Sequence, residues 1–153
     1  MKAVIVCTSV SHGNTKRVAD VIGEVLDARV VTPDQAELDG YDLVGFGSGI
    51  FLGSFHADLR EFVRTLPQVS GTKAFVFATS GFPDAGLQRF SRPMVEALGH
   101  KGFDVVGTYS CRAFDTYLPF KPVGGIRKGR PNAEDLAQAR SWAEGLRTEI
   151  TTG

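Results

Sequence analysis

Long apolar runs are missing from this 153-residue chain. None approaches the roughly 20 residues a membrane-crossing helix needs, so membrane insertion is not expected. Cysteine is scarce. The two present, Cys7 and Cys111, lie far apart, each inside a short strand-like apolar stretch. That spacing speaks against a disulfide framework and favours buried small hydrophobes over a redox pair. A charge excess is also absent, because 17 basic and 17 acidic residues cancel. The balance argues against a nucleic-acid partner, which calls for a basic stripe. It also removes the strong acidity that would steer the chain to a basic partner. Met1 to Val6 is too short and too β-branched for a secretory leader, and the cytoplasm is the expected compartment. Several chemical signatures are lacking as well. There is no Gly-Lys-Ser/Thr phosphate loop and no Gly-x-Gly-x-x-Gly fingerprint. His56 and His100 share no metal-ligand spacing with each other or with the cysteines. Gly47-Ser48-Gly49 is not the Gly-x-Ser-x-Gly elbow of a serine hydrolase.

What is present is an alternation of short β-branched runs with longer amphipathic ones. With 42% hydrophobic and 22% charged residues, the whole chain, 1–153, reads as one globular domain. The pattern predicts strands over Lys2–Thr8, Ala28–Thr32, Asp42–Ser48, Lys73–Thr79 and Phe103–Cys111. It predicts helices over Asn14–Leu26, Phe55–Leu66 with Ser54 as cap, a helix capped by Asp84 and running to about Leu98 with Pro93 near the start or at a kink, and Ala133–Glu149 capped by Asn132. Pro33–Leu38 is too short for more than one helical turn. Arg112–Pro131 has no clear period, and such long segments are usually functional or mobile. Strands alternating with helices make an α/β fold, a three-layer α/β/α sandwich around a parallel sheet. Five strands favour the flavodoxin-like order 2-1-3-4-5, whose ligands bind beyond the carboxyl ends of the strands, where the order reverses. That brings together the segments after the first, third and fourth strands.

The first of these, Thr8-Ser9-Val10-Ser11-His12-Gly13-Asn14-Thr15, joins a strand to a helix. Its N–H groups and the helix dipole converge on one point, a geometry that binds phosphate. Ser9, Ser11, Asn14 and Thr15 add neutral donors, and Gly13 lets the backbone approach closely. With no lysine or arginine inside it, the loop suits a retained phosphorylated cofactor better than a phosphate in transfer. His12 reads either as a pH-dependent positive charge near the phosphate or as a neutral histidine bonding backbone.

His12-Gly13-Asn14-Thr15 after an N-terminal strand resembles the Thr-Gly-Asn-Thr of the flavodoxin phosphate loop. Here histidine stands for the usual threonine, and from Ser9 the loop is one residue longer. The resemblance extends over nearly the whole chain and implies FMN as cofactor. The segment holding Ser48, Gly49, Ile50, Phe51, Leu52 and Gly53 is similar to the family's loop after the third strand. There an apolar or aromatic side chain covers one face of the flavin, a place Phe51 would take. A peptide near Gly53 would bond flavin N5 on reduction. Thr79, Ser80, Gly81 and Phe82 resemble the other flavin-contacting loop, with Phe82 against the second ring face and N–H groups near Ser80 and Gly81 on the pyrimidine edge.

Three functions follow from the resemblance. One is an electron carrier between redox partner proteins, a flavin or iron–sulfur reductase and an unknown acceptor, acting as a monomer or weak dimer. Another is an FMN-dependent NAD(P)H reductase of quinones or other small acceptors, which needs an open ring face. The last is a flavin-less interaction module on the same fold. The carrier needs no catalytic acid or base, and none stands out. The near-neutral charge departs from the acidity of many flavodoxins. The Arg112–Pro131 segment departs from the short link to the last helix in the smaller ones.

Overall fold

A computed structural model of the chain describes residues 1–8, 14–51, 54–80, 87–112 and 133–152. Six strands are present among them: β1 (Ala3–Cys7), β2 (Ala28–Val31), β3 (Leu43–Phe51), β4 (Ser54–Phe55), β5 (Lys73–Ser80) and β6 (Asp104–Arg112). The five long ones pair in parallel in the order β2-β1-β3-β5-β6. This is the 2-1-3-4-5 arrangement expected from the alternation. Helix α1 (Asn14–Leu26), helix α2 (Ala57–Thr65), helix α3 (Leu87–His100) and helix α4 (Ala133–Thr152) complete the fold, with one 3-10 turn at Pro33–Gln35.

Strand β1 is buried along its whole length, as a strand apolar on both faces must be. Its odd-numbered residues pack with Val18, Ile22, Phe75, Phe77, Ala139 and Leu146 under α1 and α4. Its even-numbered ones pack with Val44, Phe46, Leu59, Val63 and Leu98 under α2 and α3. Helices therefore cover both faces of the sheet. On the first face Trp142 meets Phe75 edge-on at 5.7 Å and stacks on Tyr109 at 5.2 Å.

The contact between β3 and β5 has an unusual composition. Gly45, Gly47 and Gly49 of β3 stand opposite Phe75, Phe77 and Thr79 of β5. A Cβ at Gly45 would collide with the Phe75 ring, and one at Gly47 with the Phe77 ring. The two rings, stacked with centroids 6.1 Å apart, thus lie over bare backbone. Glycine weakens an isolated strand, but here the neighbouring rings refill the space that the missing side chains leave.

Four details differ from the sequence expectation. Strand β3 does not end at Ser48. It runs to Phe51 and turns back into β4 through the pairs Ile50 with Phe55 and Phe51 with Ser54. The expected glycine loop is therefore mostly a hairpin. The expected cap Ser54 belongs to β4, three residues before the helix, which starts at Ala57. The N-cap of α2 is His56, whose Nδ1 accepts the N–H of Asp58 at 3.0 Å. Helix α4 runs past Glu149 to Thr152. The expected caps Asp84 and Asn132 lie outside the described residues, as does 113–132; Pro93 is the seventh residue of α3 rather than near its start.

Two substitutions test this packing. Gly47→Ala should cost about 1–3 kcal/mol, the usual penalty of overpacking, and combining it with Phe77→Leu should recover part of that loss. Strictly additive urea midpoints would contradict the overlap. His56→Ala should lower stability by about 1 kcal/mol while His56→Asn keeps most of it, because asparagine supplies the same capping acceptor. Equal losses for both in thermal melts would show that the cap contributes nothing.

Candidate functional site

The packing of β3 against β5 changes character at its last rung. Opposite Gly49 stands Thr79, not a third phenylalanine. Its side chain is buried, and its Oγ1 lies 2.7 Å from Oγ1 of Thr15, also buried, in the first turn of α1. A Cβ at Gly49 would sit 3.5 Å from the Thr15 hydroxyl and 3.7 Å from that of Thr79. The end of β3, the end of β5 and the start of α1 therefore meet within one methyl group of each other.

This point lies at the carboxyl edge of the sheet, where the strand order reverses between β1 and β3. The N–H groups of a first helical turn have no intrahelical acceptor, and the dipole makes that end partly positive. No acidic residue sits in the first turn of α1, and the Lys16 ammonium, 3.0 Å from Asp20, has its own counter-ion. The hydroxyl pair adds a further donor. Two hydroxyls share one hydrogen between them, so a second hydrogen remains for a third group. At the end of β1, the Thr8 N–H donates to the Gly47 carbonyl at 3.0 Å. Among the described residues the buried Thr8 Oγ1 has no hydrogen-bond partner. A helix start, a hydroxyl with hydrogen to spare and an orphaned hydroxyl nearby form a donor set that suits a phosphate monoester.

Ser48 has a different task. Its fully buried Oγ donates to the Gly49 carbonyl at 2.7 Å and accepts the His56 N–H at 2.8 Å. It ties the end of β3 to the cap of α2, across the base of the hairpin. Of the other residues expected at the site, Asn14, Ile50, Phe51 and Ser80 are placed by backbone alone: Asn14 opens α1, Ile50 and Phe51 end β3, and Ser80 ends β5. Ser9, Ser11, His12, Gly13, Leu52, Gly53, Gly81 and Phe82 lie outside the described residues. Sequence reasoning missed the hairpin, the Ser48 tie, the orphaned Thr8 hydroxyl and the pairing of Thr79 with Thr15. Only the hairpin had a local signal, a glycine in the two residues between Ile50-Phe51 and Ser54-Phe55.

Cys7 borders the site from below. It is buried, and its Sγ lies 3.7 Å from the Thr8 carbonyl. Burial, reinforced by the Asp20 carboxylate and partly offset by Lys16, pushes its thiol up to about 12. The nucleophilic form is the thiolate, so this cysteine is inert at neutral pH. Three strand steps separate β1 from β6, roughly 14 Å at the usual spacing. That is too far for a bond between Cys7 and Cys111. Among the described residues no group of three or more His, Cys, Asp or Glu is arranged to hold a metal ion, and no helix is long and apolar enough to cross a membrane.

Comparison with known proteins gives a consistent answer. The family model for the flavodoxin domain matches residues 5–96. An uncharacterized protein of Methanocaldococcus jannaschii is 35% identical over 149 residues, covering 95% of this chain and 98% of that one. Among solved structures, a flavodoxin from the domain Archaea superposes with a TM-score of 0.69 at 18% identity, covering 99% of each chain. Oxidised flavodoxin 1 of Bacillus cereus gives 0.70 at 21% identity, covering 97% of this chain and 98% of that one. General stress protein 14 of Treponema denticola, solved in complex with FMN, gives 0.67 at 11% identity, covering 95% and 99%.

The raised Cys7 thiol has a consequence for stability. The folded state holds the proton more tightly than the unfolded chain, so the thiol's contribution is complete below its ordinary value of 9.0 and declines as pH climbs toward about 12. Between pH 8 and pH 10 that loss is about 1.4 kcal/mol. Urea unfolding of the native chain and of Cys7→Ala should show the native chain losing that much more over the interval. Parallel pH profiles would contradict the burial.

Proposed function

This chain belongs to the flavodoxin family, and we propose that it holds FMN at the carboxyl edge of its sheet and passes electrons between a reductase and a redox acceptor. The observation that carries the reading is the meeting of Thr15, Gly49 and Thr79 at one polar point beside the start of α1. FMN, when bound, supplies the reversible uptake and release of electrons. The chain's own residues hold and orient it.

In this reading the phosphate lies against the first turn of α1. Asn14, Thr15 and the N–H groups of that turn donate to it, together with Ser9, Ser11, His12 and Gly13 of the preceding segment. Ionised acceptors strengthen such bonds, and the dipole favours the negative charge. The ring lies across the ends of β3 and β5. Peptide groups of residues 49–53 and 79–81 bond its polar edge, and the side chains of Ile50, Phe51, Leu52 and Phe82 exclude water from its faces. Ser48 sets the position of the hairpin rather than touching the ligand, since its hydroxyl already donates and accepts inside the protein.

The buried Cys7 thiol is not a redox group, which leaves electron transfer to the cofactor. Near-zero net charge makes recognition of the partner proteins a matter of short-range contact rather than long-range steering. Those partners are a flavin or iron–sulfur reductase on one side and an acceptor protein on the other.

Stepwise reduction of the FMN-loaded protein without oxygen tests the role. A carrier should take up its two electrons in two resolved steps and should not oxidise NADH or NADPH on its own. A single two-electron step with steady nicotinamide oxidation would make the chain a reductase of small acceptors instead.

A further inference from the structure

We infer that Thr79 is a positioning residue for the phosphate end of the ligand, acting through Thr15 from a strand 64 residues away. The inference rests on the reading that Thr15 donates to a phosphate, and it adds a residue whose own strand end leads toward the ring. The two Oγ1 atoms are 2.7 Å apart and both side chains are buried, so water does not compete for the bond. Either hydroxyl is able to donate to the other in the free protein.

A phosphate removes that freedom. A phosphate dianion has only acceptors, so Thr15 must point its hydrogen at it. The hydrogen in the bridge then comes from Thr79, which gives one directed chain: Thr79 O–H to Thr15 Oγ1, and Thr15 O–H to phosphate oxygen. Each bond polarises the next, and burial keeps the effect from being screened. Without the Thr79 hydroxyl, Thr15 would still hold a hydrogen but would lose its inbound donor and the contact that orients its rotamer.

The same rung explains why a hydroxyl stands here and a ring does not. One and two steps lower, Phe77 and Phe75 fill the space over Gly47 and Gly45. A third ring over Gly49 would occupy the place of the Thr15 side chain. Threonine keeps the methyl for packing and supplies the hydroxyl for the bridge.

The test compares FMN with riboflavin, which lacks the phosphate, in fluorescence titrations of apoprotein. Thr79→Val keeps the shape and removes the hydroxyl. It should lower FMN affinity about tenfold, the size of one hydrogen bond in a chain ending on an ionised acceptor, and leave riboflavin affinity unchanged. Thr79→Ser should restore the native ratio. Equal weakening of both ligands, or no change in either, overturns the inference, as does a serine variant that behaves like valine. If Thr79→Val does not fold, wild-type protein decides: with FMN bound, proton NMR should show slowly exchanging hydroxyl protons on both Thr15 and Thr79, and the absence of the Thr79 proton overturns the inference. Wild-type protein that binds riboflavin as tightly as FMN would instead refute the phosphate reading itself, a separate failure.

Discussion

The ligand end of this protein depends on a stretch of one face of β3, from Gly45 to Gly49, that carries no side chains. Gly45, Gly47 and Gly49 leave a bare track, and β5 fills it from the next strand with Phe75, Phe77 and Thr79. The two rings repay the entropic cost of glycine by burying large apolar surfaces under α1 and α4. At the third rung the filling residue is small and polar. Its hydroxyl reaches the first turn of α1, so the hydrophobic core ends where the candidate binding edge begins. Along one row, the change from ring to hydroxyl turns a packing surface into a polar point.

The rest of the site follows from that placement. Helix α1 is seated with its N-terminus at the strand ends, where its free N–H groups and dipole favour an anion. The hairpin of β3 and β4 is held by Ser48 to the cap of α2, so one face of the edge is braced by the opposite helix layer. Two packed cores hold the strands, and the segments that leave them are free to carry function. Cys7 lies just beneath, where burial keeps its thiol protonated. The protein keeps its reactive side chain silent beside the place where redox chemistry would occur.

Much of this fold was legible in the sequence because it rests on local periodicity. The helix Asn14–Leu26 and the single turn after Pro33 stand where the spacing put them, and the sheet order follows from the alternation. The Ser-His-Gly-Asn-Thr segment marked the start of α1 as a phosphate candidate for a reason that is also local. What stayed hidden depends on pairs of residues distant in sequence. Glycine is depleted in strands, so the residues after Ser48 read as a loop. Pairing of Gly49 with Thr79 across the ladder, and of Ile50 and Phe51 with β4, makes residues 49–51 a strand. Ser54 read as a helix cap because it precedes an amphipathic run, yet it belongs to β4, three residues before the helix, and the cap is His56. Thr79 stood out as part of a strand-end loop. Its partner Thr15 was assigned to the phosphate for separate reasons, and no local pattern links the two.

The central claim is that three strand ends and the start of α1 form a single binding point for one ligand. Amide NMR spectra recorded while FMN is added test it most directly. The account predicts that the amides of Thr15, Gly49 and Thr79 shift together with one saturation curve, while those of Gly71 and Thr72, before the start of β5 at the opposite end of the sheet, stay still. Shifts confined to other residues, or separate saturation curves for the three amides, would contradict it.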